Sequence, residues 1–187
     1  MNPTDLLNAL HVAERLKDTL RHSFTPGGRP ESVAEHTFRI ALMAYWMRDE
    51  FPDADMDKVI RMCLIHDLGE CFTGDIPTFD KTTQDEAVEE HLLYTWVDSL
   101  PAPYNSDMRA LYDEMIARET TEARIYKALD GLEAVIQHNE ADLSTWAPHE
   151  YDLNMHYADD KCAFSPYLTE LREIIRAETI KKIEEGK

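Results

Sequence analysis

Apolar residues recur at helical spacing along almost the whole chain, and this pattern restricts the fold more than any other feature of the sequence. One such stripe, within about residues 4–20, consists of Leu6, Leu7, Leu10, Ala13 and Leu16. Pro, Gly and capping residues delimit further helical segments at about residues 32–50, 55–66, 84–100, 106–118, 120–139 and after 166. Sustained period-two alternation is missing, so we predict an all-α helical bundle.

The length of the chain fits one domain. At 187 residues it is close to the usual size of a single domain, and it contains neither an internal repeat nor a long linker. We therefore predict one domain over residues 1–187. Its core, at about residues 10–140, carries the motifs described below, and residues 141–187 form a helical extension with weaker periodicity.

The charge of the chain excludes several classes of partner. There are 37 acidic and 19 basic residues, which give a formal net charge of −18. This balance argues against nucleic acid polymers and anionic membrane surfaces, both of which require a basic surface. It leaves open a small phosphorylated ligand, since a metal ion and one or two Arg can reverse the local field. The 3 cysteines are odd in number and form no CxxC motif, so we expect reduced thiols and a cytoplasmic location.

Four polar residues are predicted to point into the core from three helices. His36, His66 and Asp130 each share a helix face with apolar residues, and Asp67 ends the apolar run that contains His66. Taken singly, each has an ordinary explanation, because an inward His is commonly a hydrogen-bonded core residue and Asp130 could pair with Arg124. Taken together, two imidazoles and two carboxylates could hold one divalent cation. Four protein ligands would leave positions open for water and substrate, which is typical of a catalytic metal site.

The order His36, then His66-Asp67, then Asp130 resembles the signature of the HD-domain metal-dependent phosphohydrolases. The surrounding sequences are similar to those of the small 5′-nucleotidases of that family, and they read SVAEHTFRIALMA, IHDLGECFTGDIPT and KALDGLEA. The resemblance covers about residues 10–140. It implies an HD-domain bundle with a central metal ion and hydrolysis of nucleoside 5′-monophosphates, with deoxyribonucleotides preferred, to nucleoside and phosphate. The ion could be Mn, Co, Fe, Ni or Zn, since mixed N and O ligands do not choose among them.

The resemblance also assigns roles to individual residues. His36, His66, Asp67 and Asp130 would bind the metal, and Glu70 would activate or place the attacking water.

Further positions would contact the substrate. Asp75 would lie near the sugar and the reacting phosphate, Thr78 would close the same substrate loop, and Arg21 would orient the phosphate. Phe24 either stacks on the sugar or base or fills the core. Family analogy further implies a homodimer.

Two other functions remain as alternatives. An HD-fold iron oxygenase would require further His ligands between Asp67 and Asp130, and the only candidate, His91, lies in a polar stretch that we expect to be exposed. A non-catalytic, nucleotide-binding regulatory module would keep the pocket without the chemistry.

Overall fold

The computed structural model describes residues 1–186 and confirms the all-α prediction. Its helices are α1 (Pro3–Ala13), α2 (Val33–Trp46), α3 (Met56–Ile65), α4 (Glu70–Thr73), α5 (Thr83–Ser99), α6 (Tyr104–Ala117), α7 (Thr121–Glu140), α8 (Glu150–His156), α9 (Asp159–Cys162) and α10 (Pro166–Glu185). Short 3-10 turns occupy Glu14–Lys17, Arg48–Glu50 and Leu143–Thr145. Lys187, which the predicted domain includes, lies outside the described residues. No helix within residues 1–186 is long and apolar enough to cross a membrane.

Helices α2, α3 and α7 begin at the capping residues that the sequence pattern indicated. Ser32 caps α2 through a capping box, in which its side chain accepts from the Glu35 backbone and the Glu35 side chain accepts from the Ser32 backbone. The side chain of Asp55 caps α3, and that of Thr120 caps α7. These caps fix the starts of the three helices that form the centre of the molecule.

The first helix ends earlier than its apolar stripe predicted. Instead of reaching Leu20, α1 stops at Ala13, and the chain passes through a 3-10 turn into strand β1 (Leu20–Phe24). This strand pairs antiparallel with β2 (Pro30–Ser32). Strands of five and three residues are too short to show a sustained alternation, so the sequence did not reveal the hairpin. As a consequence, Arg21 lies on a strand beside the core.

The core is centred on α2, α3 and α7, which pack against one another. Ile40, Val59, Met62 and Leu129 are completely buried there. Because the three helices surround one space, polar side chains on their inner faces must meet in that space or remain without partners.

Gly131 explains how α7 can approach the C-terminal segment. A Cβ atom at this position would lie 2.8 Å from the Cβ of Ala158, which is closer than side chains tolerate. Since a glycine within a helix costs about 1 kcal/mol relative to alanine, this close contact is the packing reason for Gly131.

Candidate metal and substrate site

The structure brings the four predicted metal ligands together. His36 Nε2 lies 3.3 Å from Asp130 Oδ1 and 3.8 Å from Asp67 Oδ2. His66 Nε2 lies 2.9 Å from Asp67 Oδ2 and 3.8 Å from Asp130 Oδ1. Helix α2 supplies His36, the turn after α3 supplies His66 and Asp67, and α7 supplies Asp130. Two imidazole nitrogens thus face the same pair of carboxylates.

The other ring nitrogen of each histidine has its own partner. His66 Nδ1 lies 2.8 Å from the carbonyl oxygen of Cys63, to which only an N–H can donate. His36 Nδ1 contacts the carboxylate of Glu133, a completely buried residue. With a proton on Nδ1, each imidazole directs Nε2 toward the carboxylates, where either a second proton or a metal ion can lie between them.

An Nε2 atom that faces a carboxylate oxygen requires a positive charge, a proton or a metal ion, between them. His66 Nε2 is buried, and although it lies 2.9 Å from Asp67 Oδ2 it makes no well-aligned hydrogen bond within residues 1–186, so it can bind a cation. Hydrogen bonding of Nδ1 to a carboxylate or carbonyl is the usual way in which proteins orient a metal-binding imidazole. The donor set therefore fits a divalent ion with mixed nitrogen and oxygen ligands.

The electrostatics of the site favour the same conclusion. Burial lowers the pKa of His36, but its contacts with Asp130 and Glu133 outweigh burial and raise that pKa to about 9. Burial raises the pKa of Asp67, but the neighbouring His66 and His36 lower it to about 2. The cluster consequently stabilises negative charge on the carboxylates and positive charge beside them.

Asp130 pairs with a lysine rather than with the arginine considered from the sequence. Lys127 Nζ, one helical turn earlier, donates to Asp130 Oδ2 at 2.7 Å. Arg124 instead lies over the ring of Phe164, 4.3 Å from its centroid. The structure therefore does not support the alternative in which Asp130 pairs with Arg124, and Asp130 keeps its other oxygen directed at the two histidines.

Glu70 reaches the site although helix α3 ends at Ile65, just before His66. After Ile65 the N–H groups of residues 68, 70, 71 and 72 donate to the carbonyl three residues earlier, and α4 begins at Glu70. The side chain is buried, and its Oε2 has no hydrogen-bond partner within the described chain. Burial, followed by the charges of Asp67 and Asp75, raises the pKa of Glu70 to about 11. This carboxyl can hold a proton beside the cluster.

Arg21 points into the site and is largely shielded from solvent. Only 15% of its side chain is exposed, with Nη1 3.9 Å from Asp67 Oδ2 and Nε 3.3 Å from Glu31 Oε2. Burial lowers the pKa of Arg21, but the carboxylates of Glu133, Asp67 and Asp75 together raise that pKa by more than burial lowers it, so the guanidinium stays charged. It is a cation in a largely acidic pocket, positioned to receive an anion.

A cavity adjoins this site and includes some of the predicted substrate residues. Arg21, Asp75 and Thr78 line it, and the Thr78 hydroxyl lies 3.4 Å from the Tyr157 hydroxyl. Phe24 is not among the lining residues, and its carbonyl accepts from Gln137 Nε2 at 2.5 Å.

Several residues that line the cavity were missed by sequence reasoning. They are His22, Phe79, His138, Glu150, Asn154 and Tyr157. Most come from the weakly periodic segment after residue 141 or its edges, which gave no helical pattern strong enough to show which side chains face inward. His91 is exposed, as expected.

Comparison with known proteins gives one consistent result. The sequence profile described as HD domain matches residues 13–172. A protein named 5′-deoxynucleotidase HDDC2 from Homo sapiens is 32% identical over 139 residues, which cover 72% of this chain and 67% of the relative. The Bos taurus protein of the same name is 31% identical over 140 residues, which cover 73% of this chain and 67% of the relative.

A solved structure described as a predicted metal-dependent phosphohydrolase from Magnetospirillum magnetotacticum MS-1 has the same overall fold. It superimposes with a TM-score of 0.80 and 28% sequence identity, and the match covers 96% of this chain and 93% of that one.

Proposed function

The chain belongs to the HD-domain family, and from this premise we propose that it is a metal-dependent phosphomonoesterase. Its substrates are nucleoside 5′-monophosphates, with deoxyribonucleotides preferred, and its products are nucleoside and phosphate. The observation that carries the proposal is the orientation of His36 and His66, whose Nε2 atoms face Asp67 and Asp130 beside the buried guanidinium of Arg21. The names of the relatives support the substrate class.

In this proposal His36, His66, Asp67 and Asp130 hold one divalent ion, which is Mn, Co, Fe, Ni or Zn. Such an ion polarises a phosphoryl oxygen and lowers the pKa of water. Glu70 would accept the proton of the attacking water, because the charge of a bound divalent ion would oppose the effect of Asp67 and lower the pKa of Glu70.

The remaining residues bind the substrate. Arg21 binds the phosphate through two parallel N–H donors and neutralises its charge. Asp75 and Thr78 lie on the loop that lines the cavity beside Arg21, where the sugar would lie when the phosphate occupies the cluster. Phe24 remains a candidate stacking residue because of its position in the sequence, although it does not line this cavity.

The test is phosphate release from ribo- and deoxyribonucleoside 5′-monophosphates. The chelated protein is resupplied separately with Mn, Co, Fe, Ni, Zn or Mg. We expect turnover that depends on the metal and favours deoxyribose. Absence of phosphate release with every metal, from protein that binds one ion per chain, would contradict the proposal.

Two variants separate the assigned roles. Asp67→Ala is expected to lose metal and activity together while the fold is retained. Glu70→Gln is expected to keep the metal yet lose turnover by about 100-fold or more, the usual cost of removing a general base. Full turnover by Glu70→Gln would remove Glu70 from the mechanism.

The proposal also includes a homodimer. Helix α2 carries three large exposed side chains, with Phe38 64%, Tyr45 50% and Trp46 72% exposed, and residues 38 and 45 are two helical turns apart on one face. A patch of this kind is typical of an interaction surface. The mass in solution by light scattering should be twice the 21.6 kDa of the chain, and Trp46→Glu should yield a monomer. A monomeric wild-type protein would contradict this part.

A cytoplasmic location completes the proposal. The three cysteines, Cys63, Cys71 and Cys162, are all free and buried, which supports a protein that functions with reduced thiols.

A further inference from the structure

The cavity beside the candidate metal site is lined by more residues than the proposed reaction uses. At one end it is lined by Arg21 and Asp75, next to the cluster that would hold the reacting phosphate. Its other lining residues include Phe79 from the loop and Glu150 and Asn154 from α8, and the part of the cavity that these three residues line is called its far end. A nucleotide whose phosphate binds Arg21 would place its sugar, and then its base, in the direction of α8.

Asn154 has an unsatisfied amide at this far end. The residue is only 3% exposed, and its Nδ2 is buried with no hydrogen-bond partner within residues 1–186. A buried amide without a partner costs free energy, and folded proteins rarely keep one unless a ligand satisfies it. Because Asn154 lines the cavity, its side chain lies next to a molecule bound there.

The backbone around Asn154 is held rigidly. The buried side chain of Arg172, on α10, donates from Nη2 to the carbonyl of Asn154 at 2.9 Å and from Nε to the carbonyl of Tyr157 at 2.8 Å. These bonds satisfy carbonyl groups at the end of α8 and fix the helix against α10. A side chain on such a support is preorganised, which is what selective recognition requires.

Glu150 adds a second buried polar group to the same wall. It is 1% exposed, and its Oε1 lies 3.1 Å from His22 Nε2 and 3.4 Å from His138 Nε2. Its Oε2 accepts from the Ala147 backbone at 2.6 Å, so the carboxylate is fixed at both oxygens. His22 Nε2 still lacks a well-aligned hydrogen bond within the described chain. The far end of the cavity is therefore polar and built from fixed groups.

Phe79 supplies an aromatic surface that lines the same cavity. Its ring makes T-shaped contacts with His149, with centroids 4.4 Å apart, and with His22, with centroids 5.5 Å apart. The side chain is nevertheless 43% exposed, although it lines the cavity. An exposed aromatic ring next to buried hydrogen-bonding groups is the combination that proteins use to bind a nucleobase, by stacking on its face and bonding to its edge.

We propose that this end of the cavity is a nucleobase-reading site, in which Asn154 hydrogen-bonds the polar edge of the base and Phe79 stacks on its face. The assignment rests on the proposed function, because a 5′-nucleotide is what connects the two ends of the cavity. The amide offers a donor and an acceptor side by side, which matches the paired groups on the edge of a base. Asn154 is thus a specificity-determining residue and takes no part in phosphate hydrolysis.

The test separates the two halves of the substrate. Binding to the full-length protein is measured by calorimetry with two kinds of probe, the deoxynucleosides, which lack the phosphate, and 2-deoxyribose 5-phosphate, which lacks the base. Asn154→Leu should weaken binding of the deoxynucleosides by about fivefold or more. It should leave binding of 2-deoxyribose 5-phosphate within about twofold, since that probe does not reach α8. Asn8→Leu, at an exposed position on α1, is the matched control and should change neither affinity.

Two further measurements distinguish base recognition by Asn154 and Phe79 from a purely structural role of these residues. Asn154→Leu removes an unsatisfied donor, so its Tm should equal or exceed that of the wild type, whereas a residue with a structural role would lower it. Phe79→Ala changes a partly exposed loop side chain and should keep the fold. It should also weaken binding of the deoxynucleosides by about fivefold or more, through lost stacking.

The outcomes distinguish a failure of the base-reading inference from a failure of the proposed function. A wild type that binds no deoxynucleoside would overturn the inference, as would an Asn154→Leu variant that loses both probes equally or neither. If the wild type releases phosphate from nucleotides but Asn154→Leu binds every deoxynucleoside normally, the reaction stands and the base-reading site fails. If deoxynucleosides bind through Asn154 but no phosphate is released with any metal, the site stands and the proposed function fails.

Discussion

The contact between His36 and Glu133 offers a sharp test of how the metal site is built. Glu133 is completely buried, and its carboxylate accepts a hydrogen bond from the Nδ1–H group of His36. Its Oε1 lies 3.3 Å from Arg39 Nε. In Glu133→Gln the shape of the side chain is kept, but the negative charge that orients the imidazole is lost. Loss of a carboxylate that orients a metal-binding histidine typically reduces metal affinity about 10- to 100-fold. We therefore expect a loss of about 1.4–2.7 kcal/mol in metal-binding free energy.

The matched control is Glu140→Gln. Glu140 also pairs with Arg39, at 2.8 Å from Nη1, but it has no contact with His36 in the described chain. Dissociation constants of the same divalent ion, measured by competition with a chromogenic chelator, should rise for Glu133→Gln and stay within about twofold for Glu140→Gln. Equal affinities in Glu133→Gln and the wild type would refute the reasoning, as would an equal loss in both variants.

Three further predictions concern stability. Gly131→Ala places a methyl group 2.8 Å from the Cβ of Ala158, so overpacking of about 1–3 kcal/mol should outweigh the helix-propensity gain of about 1 kcal/mol and lower the Tm. Ser32→Ala removes the N-cap of α2 and should cost about 1 kcal/mol in urea unfolding, whereas an unchanged midpoint would mean that the capping bond contributes nothing. The hydrogen bond with Arg29, followed by that with the Ser32 backbone, lowers the pKa of Glu35 from 4.5 to about 2. A lowered pKa means that ionised Glu35 stabilises the fold above pH 4.5 and that this contribution disappears as the pH falls to about 2, so the stability difference between wild type and Glu35→Gln should shrink over that interval.

Much of the helical framework could be predicted because its signals are local. Ser32 with Glu35 and Thr120 before α7 are capping residues that act within one helical turn, and the sequence shows them directly. The inward direction of His36 and Asp130 followed from helical spacing alone, since both lie within long helices. The site between these helices could therefore be anticipated before any distance was known.

The substrate cavity could not be predicted in the same way because its determinants are tertiary. Glu150 and Asn154 lie on a seven-residue helix whose position depends on Arg172, 18 residues further along the chain than Asn154. Glu133 was visible in the sequence, one turn after Asp130, but its role requires knowledge that His36 Nδ1 lies against it. The hairpin that turns Arg21 inward is likewise stabilised by pairing between strands that are individually too short to give a pattern.

The central claim is that one divalent ion, bound at the His36, His66, Asp67 and Asp130 cluster, supports hydrolysis of a 5′-nucleotide. The most direct test is a titration of chelated protein with a single activating metal, in which bound metal and phosphate release from a deoxyribonucleoside 5′-monophosphate are measured in the same samples. The account predicts that activity rises linearly and reaches its plateau at one equivalent per chain. A plateau at two equivalents, or bound metal without any phosphate release, would contradict it.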